Sequence, residues 1–447
     1  MTSSMTQGNP MKLMIKFAIP LILGNLFQQL YNMVDAMIVG RRLGTLSLAG
    51  VGATSSVQFL VMGFCIGICA GFGIPVAQKF GAKDYHEMRR YIYHAMLLTV
   101  GFAAVVTLLT TIFTHSILRF LKTPQDIYHE AYIYLFILFA GIPFTLLYNL
   151  LASILRAVGD SKTPFLFLIL SSVINIVLDL FFIIVLKIGV AGAALATVIA
   201  QAISGICCLI LIVKKYDILK ITGDDRELDG KHFKMLIIMG VPMGLQFSIT
   251  AIGSMVMQSA NNSLGTVYVS GFTAAMKIKQ LAMCPFDAIA NAVATFAGQN
   301  LGASETDRIR KGVRQGVFLG VSYGIAIGAV LFFFGRPMSM LFVAAEETAV
   351  LDAAGIYLRR LGLFYWTLGF LNITRMTTQG LGYSGRAIFS GVSEMFARII
   401  VSVLFVPHFG FDAITFADQT AWVAGCLYIV PTCIHCINLS VKKLTGE

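Results

Sequence analysis

The chain has 447 residues, of which 57% are hydrophobic and only 12% are charged, about half the charged share of an ordinary soluble domain. Apolar stretches of about 20 residues, the length that a helix needs to cross a bilayer, recur from end to end. The formal net charge is +11, but the Lys and Arg residues lie in short loops between apolar stretches and so indicate membrane orientation, not nucleic-acid binding. The composition excludes a soluble domain and predicts an all-α integral membrane protein.

Loop signals between the apolar stretches predict twelve transmembrane helices, which we number as spans 1 to 12. They cover residues 14–38, 46–78, 91–114, 128–156, 164–186, 190–213, 233–259, 266–297, 312–334, 349–380, 387–406 and 418–440. The one sizeable hydrophilic connection follows span 6. We therefore expect two six-helix lobes, an N-lobe over 1–213 and a C-lobe over 233–447, joined by a cytoplasmic linker over 214–232.

Anchor residues of the first half recur in the same order in the second half, 221 to 223 residues later. The matched pairs are Pro20 and Pro242, Gly44 and Gly265, Gln78 and Gln299, Asn149 and Asn372, and Gly159 and Gly382. Because six helices separate matched positions, the halves run in the same direction, and we expect a pseudo-twofold axis along the membrane normal. Duplicated helical bundles of this kind are typical of secondary transporters.

The basic residues also predict the orientation, because they collect in cytoplasmic loops. Most Lys and Arg residues outside the spans fall on the side that holds both termini, including Lys214, Lys215 and Lys220 of the linker. We expect a multi-pass protein of a bacterial cytoplasmic (inner) membrane with both termini in the cytoplasm. It is expected to act as a monomer among membrane lipids and to bind no nucleic acid.

Span 1 carries polar side chains at spacings of three and four residues. Asn25, Gln28, Asn32 and Asp35 therefore lie on one helix face. A polar side chain in lipid needs a partner or water, so the stripe is expected to line a cavity, with hydrogen bonding between helices as the alternative. Asp35 lies within the membrane, where a carboxylate is a functional site by default; a structural pair with Arg42 is its alternative.

Spans 5 and 6 carry three further polar residues at a similar depth. Asn175 and Asp179 lie one turn apart on span 5, and Thr197 lies on span 6. If span 1 brings Asp35 to the same place, these oxygens suit a small cation such as sodium. The two carboxyl groups are equally suited to sharing a proton, because burial and a nearby second carboxylate both disfavour the charged form. The alternative is that Asp179 neutralises Lys187.

The second half does not repeat these acids, since Met257 stands at the position that matches Asp35 and Ser402 at the position that matches Asp179. Glu394 and Arg398 are one turn apart on span 11 and predict an intramembrane ion pair, with either a structural or a substrate-binding role. We predict a substrate cavity from polar residues of both halves: Asn25, Gln28, Asn32, Asn149, Thr250, Ser254, Gln258, Asp287, Asn372, Glu394 and Arg398.

Several short runs carry a resemblance to a known family. They are Ile19–Pro20, Asp35 with Val39–Gly40, Gln78 with Gly81–Ala82, Leu155–Asp160 and Gln299–Ala303. Together they resemble the multidrug and toxic compound extrusion (MATE) transporters of the multidrug/oligosaccharidyl-lipid/polysaccharide exporter superfamily. The resemblance implies two six-helix lobes around a central cleft and export of cationic amphipathic compounds in exchange for protons or sodium ions.

The resemblance also implies which residues carry the coupling. Asp35, Asn175, Asp179 and Thr197 match the family's cation site and would ligate sodium if sodium is the coupling ion. Some members of the family have an acidic residue on span 7, which this sequence lacks.

The sequence favours a transporter over other functions. It has no GxxxxGK[ST] phosphate-binding loop, so we expect an ion gradient to drive export, with no cofactor besides H⁺ or Na⁺. A membrane enzyme is disfavoured because the sequence has no HExxH motif. A lipid or lipid-linked oligosaccharide flippase is the alternative, since a set of basic residues would suit phosphate if they converged: Lys277, Lys279, Arg359, Arg360 and Arg375.

Overall fold

The computed structural model describes residues 3–121 and 123–445, so the predicted outer ends of the lobes, residues 1 and 447, lie outside the described residues. The described chain is built from α-helices joined by short loops. They are α1 (Pro10–Leu43), α2 (Thr45–Gly81), α3 (Tyr85–Phe120), α4 (Gln125–Ala140), α5 (Ile142–Ala157), α6 (Lys162–Leu180), α7 (Val190–Lys215), α8 (Gly230–Asn262), α9 (Thr266–Gly302), α10 (Thr306–Ser339), α11 (Thr348–Gly362), α12 (Tyr365–Gly380), α13 (Ser384–Ile400), α14 (Val406–Phe409) and α15 (Phe411–Thr445).

These helices confirm the all-α membrane fold with twelve spans. Over the residues that the structure describes, ten helices are long and apolar enough to cross a membrane, and α4 with α5 forms a further span bent by 48°. α11 and α12 complete the twelve; this span is interrupted between Gly362 and Tyr365 and carries Arg359, Arg360 and Arg375, which lower its hydropathy.

Span 4 is not the continuous helix that its apolar sequence predicts. α4 ends at Ala140, and α5 starts at Ile142 with Pro143 in its first turn. A proline is tolerated there because a first-turn N–H has no partner within the helix. Pro143 therefore marks the start of a new helix, and span 4 is broken into two helices at Gly141.

Two spans contain π-helical segments at nearly matching places of the repeat. α6 continues as a π-helix over Phe181–Val185, and α13 continues as a π-helix over Val401–Phe405. Short π-helical segments are rare and occur frequently at functional sites. Both segments follow directly on helices that carry buried polar or charged side chains.

One compact unit, unit 1, consists of Leu23–Gly244 with Ser3 and Ser4. In it Gly67 and Gly71 of α2 lie directly against Gly240 and Gly244 of α8. A Cβ atom added at Gly67 would lie 2.7 Å from the Gly244 Cα, closer than real side chains come. Glycines four residues apart on both helices therefore allow their backbones to touch, as in membrane helix pairs generally.

The other compact unit, unit 2, consists of Met5–Ile22 and the chain from Leu245 onward. Its core is rich in aromatic side chains, with the Tyr365 ring edge-on to Trp422 at 5.5 Å between centroids. Phe17 of α1 packs in unit 2 with Phe296 of α9.

α1 and α8 therefore each contribute to both units. The chain passes from unit 2 to unit 1 after Ile22 and from unit 1 to unit 2 after Gly244, at positions that match in the repeat. The lobe boundaries at 1–213, 214–232 and 233–447 stay a prediction, since they follow the order of the spans and not this packing.

Candidate functional site

A pair of acidic side chains from α1 and α6 forms the centre of the site in unit 1. Asp179, one residue before the end of α6, is fully buried, and Asp35 of α1 is half-buried. The two carboxyl groups lie within hydrogen-bonding reach of each other. The structure thus brings together the two acids that the predicted cation site requires to meet.

Asn175 and Thr197 complete the group, as predicted. With its Nδ2 oriented toward the acids, Asn175 donates to Asp179 Oδ2 at 3.3 Å, and its Oδ1 accepts from Thr197 Oγ1 at 3.3 Å. The Thr197 hydroxyl also lies 3.1 Å from the Ala193 carbonyl oxygen of its own helix. We call Asp35, Asn175, Asp179 and Thr197 the acid cluster.

One oxygen of each acid has no protein partner. Asp35 Oδ1 and Asp179 Oδ1 are both buried and accept no hydrogen bond from any described residue. A buried carboxylate oxygen without a donor is costly, and a proton or a cation removes that cost. The cluster therefore has the acceptor groups that uptake of a positive ion requires.

The structural alternatives for the two acids are not formed. Among the described charged groups, the interacting partner of each acid is the other acid. Asp179 forms no ion pair with Lys187, and Asp35 forms none with Arg42. The two carboxyl groups are therefore not locked into separate ion pairs in the part of the chain that the structure describes.

Two tyrosines near the acids were not predicted from sequence. Tyr31 of α1 and Tyr134 of α4 both lie close enough to Asp35 and Asp179 to interact with them electrostatically. Tyr31 is also within hydrogen-bonding reach of Gln28. Tyr134 is buried and packs with Val39 in a small apolar cluster at this place. A tyrosine in an apolar helix gives no periodic signal, so only the packing of α4 against its neighbours identifies it.

The other first-half residues of the predicted cavity are less closely tied together. Asn25 and Gln28 are half-buried, whereas Asn32 is exposed. Asn149 donates from Nδ2 to the Thr145 carbonyl oxygen of its own helix at 2.8 Å. Their substrate-binding role stays a prediction.

The polar stripe of span 7 is largely satisfied within α8. Thr250 donates to the Gln246 carbonyl oxygen at 3.0 Å, Ser254 donates to the Thr250 carbonyl oxygen at 3.2 Å, and Gln258 donates to Asn262 Oδ1 at 2.7 Å. Such bonds remove the cost of a polar group in an apolar setting without any ligand. The substrate-binding role of these three residues stays a prediction.

Two further predicted residues of the second half remain open to a ligand. Asp287, in the middle of α9, is exposed. The Nδ2 atom of Asn372 on α12 is buried and donates to no described group. Of the predicted cavity residues in unit 2, Asp287 is therefore an accessible acid and Asn372 carries an unsatisfied amide.

Glu394 and Arg398 belong to a larger buried network in unit 2. Their side chains form the predicted ion pair at 3.7 Å, and Glu394 also pairs with Arg375. Arg398 Nε lies 3.1 Å from Asp418 Oδ1, and Asp418 pairs with Lys279 as well. We call these five charged residues, together with Tyr357, whose hydroxyl donates to Asp418 at 2.6 Å, the mixed-charge network.

Asp418 is the residue of this network that sequence reasoning missed. It stands at the first position of the predicted span over 418–440, where an acid is unremarkable because helix N-termini favour negative charge. α15 begins at Phe411 instead, which places Asp418 about two turns inside the helix with no exposed surface. Gly410, with φ 55°, was the available signal for the earlier start.

The basic residues considered for phosphate binding do not form one free group. Arg375 and Lys279 are paired with acids in the mixed-charge network, and Arg360 pairs with Asp412. Arg359 lies over the Phe332 ring. The structure therefore does not favour the flippase alternative.

Comparison with known proteins identifies the family. The MatE family model matches the chain twice, over residues 20–181 and 242–404, which confirms the duplication. The chain is 33% identical over 364 residues to the probable multidrug resistance protein YpnP of Bacillus subtilis (strain 168), covering 81% of each. It is 28% identical over 399 residues to the probable multidrug resistance protein YoeA of the same organism, covering 87% of this chain and 85% of that one.

Solved structures show the same fold. One described as the outward-facing conformation of a multidrug resistance MATE family transporter of the MOP superfamily has a TM-score of 0.91 at 23% identity and covers 98% of both chains. The two matches of the family model together span most of the sequence. This chain belongs to the MatE family, the multidrug and toxic compound extrusion transporters.

Proposed function

We propose that this protein is a secondary active multidrug efflux transporter that exports cationic amphipathic compounds by antiport with protons or sodium ions. The coupling site is the acid cluster. The observation that supports this most is the contact between the Asp35 and Asp179 carboxyl groups, away from any described cation. The names of the two relatives from Bacillus subtilis, both probable multidrug resistance proteins, support the substrate class.

The coupling follows from the charge of the acid cluster. An ion taken up from outside neutralises the acids, and the helices that carry them, α1, α6 and α7, then repack. A ligand shifts such an equilibrium only by its different affinity for the two states, and the effect is reciprocal. Ion uptake therefore weakens substrate binding, the substrate leaves to the outside, and the empty transporter returns with its ion to the inside.

Two ions fit the ligands of the acid cluster. A proton fits between the two carboxyl groups, and Na⁺ fits a set of carboxylate, amide and hydroxyl oxygens because it binds oxygen ligands as other hard cations do. The contact between the carboxyl groups favours the proton, since two bare carboxylates in an apolar setting repel each other.

The cationic cargo is the counterpart of this chemistry. Asp287 offers an accessible carboxylate in the membrane part of unit 2, and Asn372 offers an unsatisfied amide. Lys279 and Arg375 are engaged by acids and leave little attraction for a phosphate group. The transporter acts in the bacterial cytoplasmic membrane with both termini inside, as its basic loops predict.

Uptake of a cationic fluorescent dye into inverted membrane vesicles tests the proposal, with the pH gradient and the sodium gradient imposed one at a time. Wild-type protein is expected to concentrate the dye under one gradient, whereas Asp35→Asn and Asp179→Asn variants are not. Asp307→Asn, at an exposed position of α10, is the matched control and is expected to transport normally. Gradient-driven uptake that survives in both acid variants at equal protein levels contradicts the coupling role.

A further inference from the structure

The mixed-charge network of unit 2 includes a residue at a position that matches the acid cluster of unit 1, since Arg398 matches Asn175. Arg398 and Ser402 stand 223 residues after Asn175 and Asp179. Both pairs lie at the junction between a helix and a π-helical segment, Phe181–Val185 in one half and Val401–Phe405 in the other. The duplication thus offers unit 2 the same framework with different side chains.

The charges on this framework differ in kind. The acid cluster holds two carboxyl groups and, among the described residues, no cation. The mixed-charge network holds three cations, Lys279, Arg375 and Arg398, against two acids, Glu394 and Asp418. All five side chains are buried, each with less than a tenth of its surface exposed.

Asp418 shows how the cations of the network take the place of an ion. Its two oxygens accept from Lys279 Nζ and Arg398 Nε, and Tyr357 donates to the same oxygen as Lys279. The Lys279 ammonium also lies 5.6 Å from the centroid of the Trp422 ring, an arrangement that stabilises a cation. No oxygen of Asp418 is left without a donor, in contrast to Asp35 and Asp179.

We propose that Lys279 and Arg398 are built-in cations that fill the counterpart of the coupling site in unit 2, so that this protein takes up its coupling ion in unit 1 alone. A mobile cation would enter a buried group that already holds more positive than negative charge, and Coulomb repulsion opposes this strongly in a low dielectric. The inference rests on the proposed function of the acid cluster. It adds that the number of ions per cycle is fixed by that cluster.

A graded series of charge variants tests the proposal on purified protein in detergent. Lys279→Met leaves two cations against two acids, and Lys279→Met with Arg398→Asn leaves one cation against two, with the residue that unit 1 has at position 175. Each is made in the Asp35→Asn, Asp179→Asn background, which removes the site of unit 1. The readout is the number of protons bound on a pH step, together with binding of radioactive ²²Na⁺.

The expected ion count rises only at the last step. The background and its Lys279→Met form bind no ion, and the form that also carries Arg398→Asn binds one, which a further Asp418→Asn change abolishes. A gain of an ion with Lys279→Met alone, or none in the folded double variant, overturns the proposal. Lys279→Arg, which keeps the charge, and a size-exclusion profile control for folding.

A second comparison leaves unit 2 unchanged and measures the ions bound by wild-type protein and by the Asp35→Asn, Asp179→Asn form. The ions bound by wild type should all be lost in the Asp35→Asn, Asp179→Asn form, and a remaining bound ion overturns the assignment to unit 1 alone. If that form instead binds as many ions as wild type, the proposed function of the acid cluster fails. The two failures are therefore distinguishable.

Discussion

The acid cluster of unit 1 and the mixed-charge network of unit 2 lie on a duplicated helical framework and share one matched position, which Asn175 occupies in unit 1 and Arg398 in unit 2. Both lie where a helix passes into a π-helical segment. In unit 1 two acids meet with no described cation between them, while in unit 2 both acids of the mixed-charge network have two basic partners. The comparison teaches that the duplicated backbone fixes where buried charge is placed, while its sign and balance decide whether the place can take up an ion.

The largest expected difference is in transport. Asp35→Asn or Asp179→Asn removes a group that alternates between charged and neutral states, so gradient-driven export should fall to the level of membranes without the protein. Export is measured as efflux of a cationic dye from energised cells, with membrane content checked by immunoblot. Efflux near the wild-type rate in either variant would show that the substituted acid does not couple export to the gradient.

The effects on stability should have the opposite order, with Asp418→Asn in unit 2 more destabilising than Asp179→Asn in unit 1. Asp418→Asn leaves Lys279 buried without its acid, and breaking such a buried pair costs about 3–5 kcal/mol. Asp179→Asn removes a carboxyl group that faces another carboxyl group, so the free energy of unfolding should stay the same or rise.

Thermal unfolding of the purified variants in one detergent checks these signs. A double variant, Lys279→Met with Asp418→Asn, controls for the loss of a matched pair and should be less destabilised than Asp418→Asn alone. Equal destabilisation by Asp418→Asn and Asp179→Asn is incompatible with the difference between the two units.

A smaller effect is expected from the neutral members of the acid cluster. Thr197→Val removes a hydroxyl group that supports the acids through Asn175, and loss of such supporting contacts typically costs 10–100-fold in ion affinity. The measurement is the ion concentration that gives half-maximal export.

Thr420→Val is the matched control for this change, because Thr420 stands 223 residues after Thr197. Its exposed side chain donates only to the Phe416 carbonyl oxygen of its own helix, at 2.8 Å. The control should leave the half-maximal concentration unchanged. An equal shift of the half-maximal ion concentration for both threonines would mean that the shift does not come from the loss of a contact in the acid cluster.

The smallest effect concerns the linker, which packs in unit 1. Asp225 accepts from Arg89 Nε and from the Thr222 backbone N–H, each at 2.7 Å. Burial alone would raise the pKa of Asp225, but the hydrogen bonds from Arg89 and Thr222 hold it well below its ordinary value. A lowered folded pKa stabilises the fold above the unfolded pKa of about 3.9, and this stabilisation is lost as the pH falls through the folded pKa.

Asp225→Asn is therefore expected to loosen the linker at neutral pH and to speed its cleavage by trypsin. Asp224→Asn, at the neighbouring exposed position of the linker, is the control and should not change the cleavage rate. A linker that is cleaved equally fast in both variants and in wild type would show that Asp225 does not hold it.

The sequence predicts the framework well because the bilayer imposes simple patterns. Apolar length places the spans, and equal depth predicts that Asp179 and Thr197 lie at the same level of the membrane. The sequence predicts less where the pattern is interrupted. The break at Gly141 lies inside an apolar run and has no signal in the hydropathy. The burial of Asp418 is missed because α15 begins at Phe411, seven residues before the predicted span. Tyr134 meets the acids only through tertiary packing, which periodicity does not encode.

The most direct test of the central claim counts ions released when substrate binds to purified protein. Substrate and ion are expected to exclude each other at equilibrium through reciprocal linkage, so a binding cationic dye should release protons or sodium from wild-type protein. Asp35→Asn and Asp179→Asn should bind the dye without releasing an ion. Dye binding with no release from wild type under either ion, or release that persists in both variants, would contradict the account.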